Sequence, residues 1–188
     1  MLSDTGCTAL IPINEVAPSE QFRIRLFSCG TPSLDAFLID HAKDQHEDHL
    51  GHTSVLFHED FEGMVGYITL SNDAIPLKTS EVGNLGLAYE VKLSAFPAVK
   101  IGRMAVHEEL QRLGIGQRIL DLATGELVGT PTVTTARLLI TDAVNDPRVI
   151  SFYMKARFFE SYWAIDQAKN HGKGMERATI KMIRDIYA

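Results

Sequence analysis

Cysteine is scarce in this 188-residue chain, which has only Cys7 and Cys29. The two lack CxxC spacing and make no disulfide framework, which suits a reducing compartment. Long apolar runs are missing too, and no stretch approaches the roughly 18 residues of a membrane span. The N-terminus lacks the charged start and apolar run of a secretory signal. These absences predict a cytoplasmic protein with no membrane partner. Excess positive charge is also wanting: the net charge is −6 and the pI near 5.6. Such a balance gives no overall attraction to nucleic acid and leaves only a local basic patch as a route to one. No repeat, low-complexity tract or linker divides the chain. With 45% hydrophobic residues it supports one core, so a single domain over residues 1–188 is expected.

What is present alternates between strand and helix patterns. "QFRIRLF" (21–27) alternates and predicts a first strand. "PSLDAFLIDHAKDQ" places Leu34, Phe37, Leu38, His41 and Ala42 on one helical face, with Thr31 or Ser33 as its cap. "TSVLFH" and "MVGYITL" read as strands joined by the turn "EDFEG". Residues 71–97 read as an irregular connection with a short element near Leu85–Lys92, and a connection that long is usually functional. "AVKIGRMAV" is a strand, and the helix that follows aligns Ile115, Ile119, Leu122, Ala123 and Leu127. "ARLLITDAV" is a buried strand. Pro147 then opens a helix that repeats Val149, Phe152, Tyr153 and Ala156, and "FFESYWAI" and "MERATIKMI" close the chain as strands. The order predicts an α/β domain with a mixed sheet.

"QRLGIG" (111–116) sits where strand turns into helix. Gly114 and Gly116 free the backbone from Cβ, allowing positive φ and close approach to a ligand. The first N–H groups of a helix have no internal partner, and the dipole favours an anion. Arg112 and Arg118 add local positive charge. A plain bend is the competing reading of two glycines. A P-loop would need Lys-Ser/Thr where Gln117 and Arg118 stand, and the dinucleotide fingerprint a small residue where Ile119 stands. The histidines of "HAKDQHEDHLGH" have no recognised ligand spacing, so no metal is expected. Phe158, Phe159, Tyr162 and Trp163 read as strand residues packing a core.

"QRLGIG" fits the pattern Q/R-x-x-G-x-G/A, follows "RMAVHEEL" and precedes "DAVNDPRVISFYMKARF". This ensemble resembles the GNAT acetyltransferase superfamily. The order of elements is most similar to the toxin subgroup that acetylates aminoacyl-tRNA. The resemblance implies one GNAT-like domain, with a largely antiparallel sheet splayed at the cofactor cleft and flanked by helices. It implies acetyl-CoA as co-substrate, its pantetheine arm along Met104, Ala105 and Val106. The pyrophosphate would lie on the N–H groups from Gln111 through Arg112, Leu113, Gly114, Ile115 and Gly116 to Gln117. Asn145 matches a position that contacts the cofactor arm, and Tyr153 the tyrosine beside the thioester sulfur. Where the family has glycine after that helix, this chain has Arg157. Terminal strands in the family often build homodimers.

Acetyl transfer to an amine needs a neutral amine, a polarised carbonyl and a tolerated thiolate. Deprotonating a lysine-like amine at neutral pH costs roughly 4–5 kcal/mol. Tyr153 would hydrogen-bond the thiolate, since full proton transfer from phenol to thiolate is uphill by about 2 kcal/mol. A backbone N–H such as that of Val106 would polarise the carbonyl. Asp142, Glu108 and Asp73 are base candidates, with water as an alternative. Three readings follow. One is an N-acetyltransferase acting on a primary amine of an unidentified acceptor, small-molecule or aminoacyl, another the toxin-type chemistry on aminoacyl-tRNA, and the last an inactive acyl-CoA-binding module.

Overall fold

The computed structural model describes residues 9–129, 135–171 and 177–188. Cys7 and the start of "MERATIKMI" lie outside the described residues. The strands are β1 (Ile11–Pro12), β2 (His52–Phe57), β3 (Met64–Ile75), β4 (Phe96–Val106), β5 (Leu138–Val144), β6 (Phe159–Glu160) and β7 (Thr179–Asp185). They form an open, mostly antiparallel sheet in the order β1-β2-β3-β4-β5-β7-β6. The helices are α1 (Gln21–Arg25), α2 (Pro32–Asp40), α3 (Ala42–Glu47), α4 (Thr79–Asn84), α5 (Ile115–Gly129), α6 (Pro147–Lys155) and α7 (Tyr162–His171).

The parallel pairing of β4 with β5 runs from Ala98↔Leu138 to Ile101↔Thr141 and no further. Both strands continue, β4 to Val106 and β5 to Val144, where β5 still pairs with β7.

The described residues group into two compact units. One comprises residues 9–71 and 102–129, the other 72–101, 135–171 and 177–188. In the first, Phe27, Phe37, Leu38, Val55, Met64 and Tyr67 build the core. Gly66 on β3 is required there: a Cβ would lie 2.7 Å from both the Ala105 carbonyl oxygen and Ile119 Cδ1. Its bare backbone lets α5 settle beside the end of β4.

The expected strand over 21–27 is instead α1, with Phe22 50% and Leu26 51% exposed. The reason is Arg23, whose guanidinium donates to the carbonyls of His58, Phe61 and Glu62 in the β2–β3 turn, at 2.7–2.9 Å. It also pairs with Glu20 at 2.6 Å and lies over the Phe57 ring. Turning Arg23 inward takes Phe22 and Leu26 outward. The helix expected over 32–45 breaks at His41 into α2 and α3; Thr31 is its N-cap by position but makes no side-chain cap bond.

In the second unit, Ile75, Leu85, Phe96, Ala98, Leu138, Ile140 and Ile183 form the core, with Trp163 packed against it. The short element expected near Leu85–Lys92 lies earlier, as α4. Glu81 of α4 is 1% exposed, and its carboxylate accepts from the N–H groups of Lys78, Tyr162 and Trp163. That cap starts a helix where "FFESYWAI" predicted only strand, so β6 is two residues long and α7 follows. Phe158 is buried, but Phe159 and Tyr162 are exposed rather than packed in a core.

Candidate functional site

In the first unit β4 ends at Val106 and a tight turn leads to α5. His107 opens it: its backbone N–H donates to Val65 O at 2.9 Å, and its Nδ1 accepts from Glu109 N at 3.3 Å. The ring sits edge-on to Phe27 and Phe61, which fixes where the turn begins. Gln111 then straps the turn down, its side-chain amide donating to Cys29 O at 2.9 Å and Val106 O at 3.2 Å. Its own N–H reaches Glu108 O at a long 3.5 Å.

Beyond Gln111 the turn is exposed as far as Gly114. Among the described residues, the N–H groups of Arg112, Leu113, Gly114, Ile115, Gly116 and Gln117 donate to no protein acceptor; the first helical bond is Arg118 N to Gly114 O at 3.0 Å. Arg112 (φ 65°) and Gly114 (φ 85°) are both left-handed, the backbone conformation from which anion-cradling turns are built. Gly114 has nothing within 4 Å of where a Cβ would stand. The left-handed residues differ from expectation. Gly116 lies inside α5 and is not a positive-φ glycine, while Arg112 takes that conformation without being glycine. For a non-glycine this costs about 1–2 kcal/mol, and no local pattern announces it. The donor set fits a diphosphate: a row of N–H groups at the mouth of a 15-residue helix, with the exposed Arg112 and Arg118 beside it.

Met104, Ala105 and Val106 lie on the part of β4 beyond its pairing with β5. Ala105 points into the first unit's core, which leaves Met104 and Val106 on the opposite face.

In the second unit Tyr153 sits on α6, 6% exposed, edge-to-face with Phe152 and Phe158. Asp146 caps that helix, accepting from Arg148 N at 2.7 Å, and Pro147 occupies its first turn. Burial pushes the Tyr153 phenol up, opposed in part by a hydrogen bond with the Thr141 side chain. The Thr141 hydroxyl in turn donates to Ile101 O at 3.2 Å, at the last paired residue of β4. Tyr153 is therefore a neutral hydroxyl, suited to donating a hydrogen bond rather than to ionising. Asn145 is exposed, but its side-chain amide donates to Arg177 O at 2.8 Å and its N–H to Ala178 O at 3.0 Å.

The base candidates fare unequally. Burial raises the Asp142 pKa, but hydrogen bonds and charge from Lys100 and Lys181 outweigh it and hold the carboxyl below its usual range. Each carboxylate oxygen takes one lysine, Lys100 at 2.6 Å and Lys181 at 2.8 Å, which makes Asp142 a poor proton acceptor. Glu108 is exposed in the turn, and Asp73 accepts from Ala74 N at 2.7 Å. The His46 and His52 rings lie tilted to one another with centroids 4.5 Å apart, His46 Nδ1 is engaged by the Thr53 backbone, and His49 sits at φ 59° after α3. No group of three or more metal-ligating side chains occurs among the described residues. The signals that composition concealed are Gly66, Arg23, Glu81 and the two lysines around Asp142.

Charge divides unevenly. The described first unit holds six Lys and Arg against fourteen Asp and Glu, a net −8, and the second eleven against eight, a net +3. No helix of the described residues is long and apolar enough to cross a membrane.

No known family profile matches the chain, and no curated protein matches it. Solved structures do. A Tyr→Phe variant of KacT is 20% identical, with a TM-score of 0.67 over 89% of this chain and 91% of that one. AtaT complexed with acetyl-methionyl-tRNAfMet is 20% identical, with a TM-score of 0.63 over 84% and 85%. AtaTR bound with acetyl-CoA is 19% identical, with a TM-score of 0.64 over 87% of each chain. At these identities the likeness establishes the architecture, and the chain has the GNAT acetyltransferase fold that these toxins share.

Proposed function

We propose that this protein is an acetyl-CoA-dependent N-acetyltransferase. The observation that carries the reading is the row of unpartnered N–H groups from Arg112 to Gln117, wrapped around two left-handed residues at a helix mouth. Its chemistry matches a diphosphate, and a structural neighbour is solved with acetyl-CoA. The pantetheine arm would lie along Met104, Ala105 and Val106, which β5 leaves unpaired. Asn145 would reach that arm only by releasing its bond to Arg177 O.

In the reaction the amine nitrogen attacks the thioester carbonyl carbon, the carbon–sulfur bond breaks, and the amine surrenders one proton while the thiolate gains one. The Val106 N–H would polarise the carbonyl. Tyr153 would donate a hydrogen bond to the leaving sulfur; burial makes full proton transfer harder than the free-solution pKa difference suggests. Solvent then takes the amine proton, since the Asp142 oxygens are held by lysines.

Aminoacyl-tRNA as acceptor is a second reading, favoured by the net +3 of the second unit and by the AtaT complex with acetyl-methionyl-tRNAfMet. A thermal-shift titration tests the first claim: acetyl-CoA at about 100 times its dissociation constant should stabilise the protein by about 2.7 kcal/mol. Absence of any shift overturns the reading. A shift without turnover on amines or aminoacyl-tRNA leaves the inactive binding module. Binding to charged tRNA that weakens steeply with salt supports the second reading.

A further inference from the structure

The Lys100–Asp142–Lys181 cluster is unbalanced. Two ammonium groups bracket one carboxylate, leaving one net positive charge in side chains only 23–32% exposed. Each ammonium has three donors, and each is paired with one oxygen of the Asp142 carboxylate. A cluster that served only to neutralise Asp142 would need a single lysine.

Its position gives the surplus a use. Along β5, Leu138, Ile140 and Asp142 face one side and Leu139, Thr141 and Ala143 the other. Leu138 and Ile140 join the core with Phe96, Ala98 and Ile183, so Lys100 and Lys181, in step with them on β4 and β7, share that face. Tyr153 lies on the opposite face, where it meets Thr141. The cluster comes just after the last β4–β5 pair, Lys100 lying one residue before Ile101 and Asp142 one after Thr141. The nucleophile adds along a direction distinct from the carbon–sulfur bond, so with the sulfur beside Tyr153 the acceptor can come from the other face, which carries the lysines.

We propose that Lys100 and Lys181 form the seat for an oxyanion carried by the acceptor, so that this protein selects amines bearing a phosphoryl or carboxyl group over polycationic amines. The inference rests on the acetyltransferase reading. Asp142 holds the two ammonium groups apart and tempers their charge; the oxyanion takes the donors that Asp142 leaves. The same net charge disfavours the ammonium form of the incoming amine and so reduces the deprotonation penalty without a dedicated base.

Inorganic phosphate and acetate, titrated separately into the full chain while the Cε resonances of Lys100 and Lys181 are followed by NMR, test the seat directly. Both lysines should shift together and saturate. Lys181→Gln should weaken binding about tenfold and Asp142→Asn tighten it about tenfold, the sign a merely structural ion pair would not produce. Tighter phosphate points to phosphoryl acceptors and tighter acetate to carboxylate acceptors. With acetyl-CoA present, O-phosphoethanolamine should be acetylated in preference to ethanolamine, and Lys100→Gln should erase the preference. Unmoved lysine resonances, or equal rates on the two amines by an active protein, overturn the proposal. Saturable shifts in a protein that acetylates no amine keep the oxyanion seat and overturn the acetyltransferase reading.

Discussion

The backbone N–H of Phe158 donates to the carbonyl of Tyr153 at 2.9 Å, and their rings meet edge to face at 5.2 Å. Together with the Arg157 N–H on Met154 O at 3.0 Å, this is a Schellman closure of α6. The residue in its left-handed position is Arg157, at φ 65°. The bend where glycine was expected thus forms with arginine, and it closes the end of α6 at Tyr153.

Arg157→Gly should relieve that strain. A left-handed non-glycine costs about 1–2 kcal/mol, and glycine's greater unfolded-state entropy returns about 0.5–1 kcal/mol of it. We expect a net stabilisation of about 0.5–1 kcal/mol and a rise of about 1–3 °C in Tm by thermal denaturation. Unchanged turnover would show that the departure from glycine is tolerated.

Tyr153→Phe should lower kcat about 100-fold while acetyl-CoA affinity changes little. Because burial pushes the phenol up, Tyr153 adds no limb to the pH–rate profile within the ordinary working range. Steady-state kinetics with calorimetric acetyl-CoA binding check both points. Equal turnover in the two proteins would remove Tyr153 from the chemistry.

Gly66→Ala and Gly114→Ala should fail differently. The added Cβ at Gly66 meets backbone at 2.7 Å, so overpacking should destabilise the fold by about 1–3 kcal/mol. At Gly114 nothing crowds the Cβ, but φ 85° is strained for alanine. Here global stability should fall by only about 1–2 kcal/mol, while acetyl-CoA affinity drops as the turn opens. Chemical denaturation and ligand binding, measured on both variants, separate the two effects.

Asp142 predicts an acid limb in stability. Its folded pKa lies below the ordinary aspartate value, so the stabilisation is fully present above that value, about 3.9, and is lost as pH falls through the depressed one. Urea denaturation between pH 3 and 6 should show the limb shrink in Asp142→Asn. Identical pH profiles for the two proteins would assign the acid sensitivity to other carboxylates.

Local pattern located the turn, the helix from Ile115, the central strands and α6, because each is written in contiguous residues. Residue type offered positive φ to Gly114 and Gly116 alike, and only Gly114 takes it; the mouth of α5 follows from where apolar periodicity begins. "QFRIRLF" misled because alternation records chemistry and not direction: the carbonyls that draw Arg23 inward come from residues 58–62. "FFESYWAI" misled for a similar reason, since the carboxylate that starts α7 lies some eighty residues earlier at Glu81.

The linear chain by itself determined the short-range features: the glycine turn, the helix behind it and the tyrosine in register on α6. Tertiary structure alone decided that Arg112 joins Gly114 in the left-handed region, that Gln111 straps the turn to Cys29 and Val106, and that Lys100 and Lys181 converge on Asp142. The division has a physical cause. Backbone preference and periodicity act over a few residues, whereas a hydrogen bond or an ion pair is set by distance in space, which strand order and register fix only once the sheet has formed.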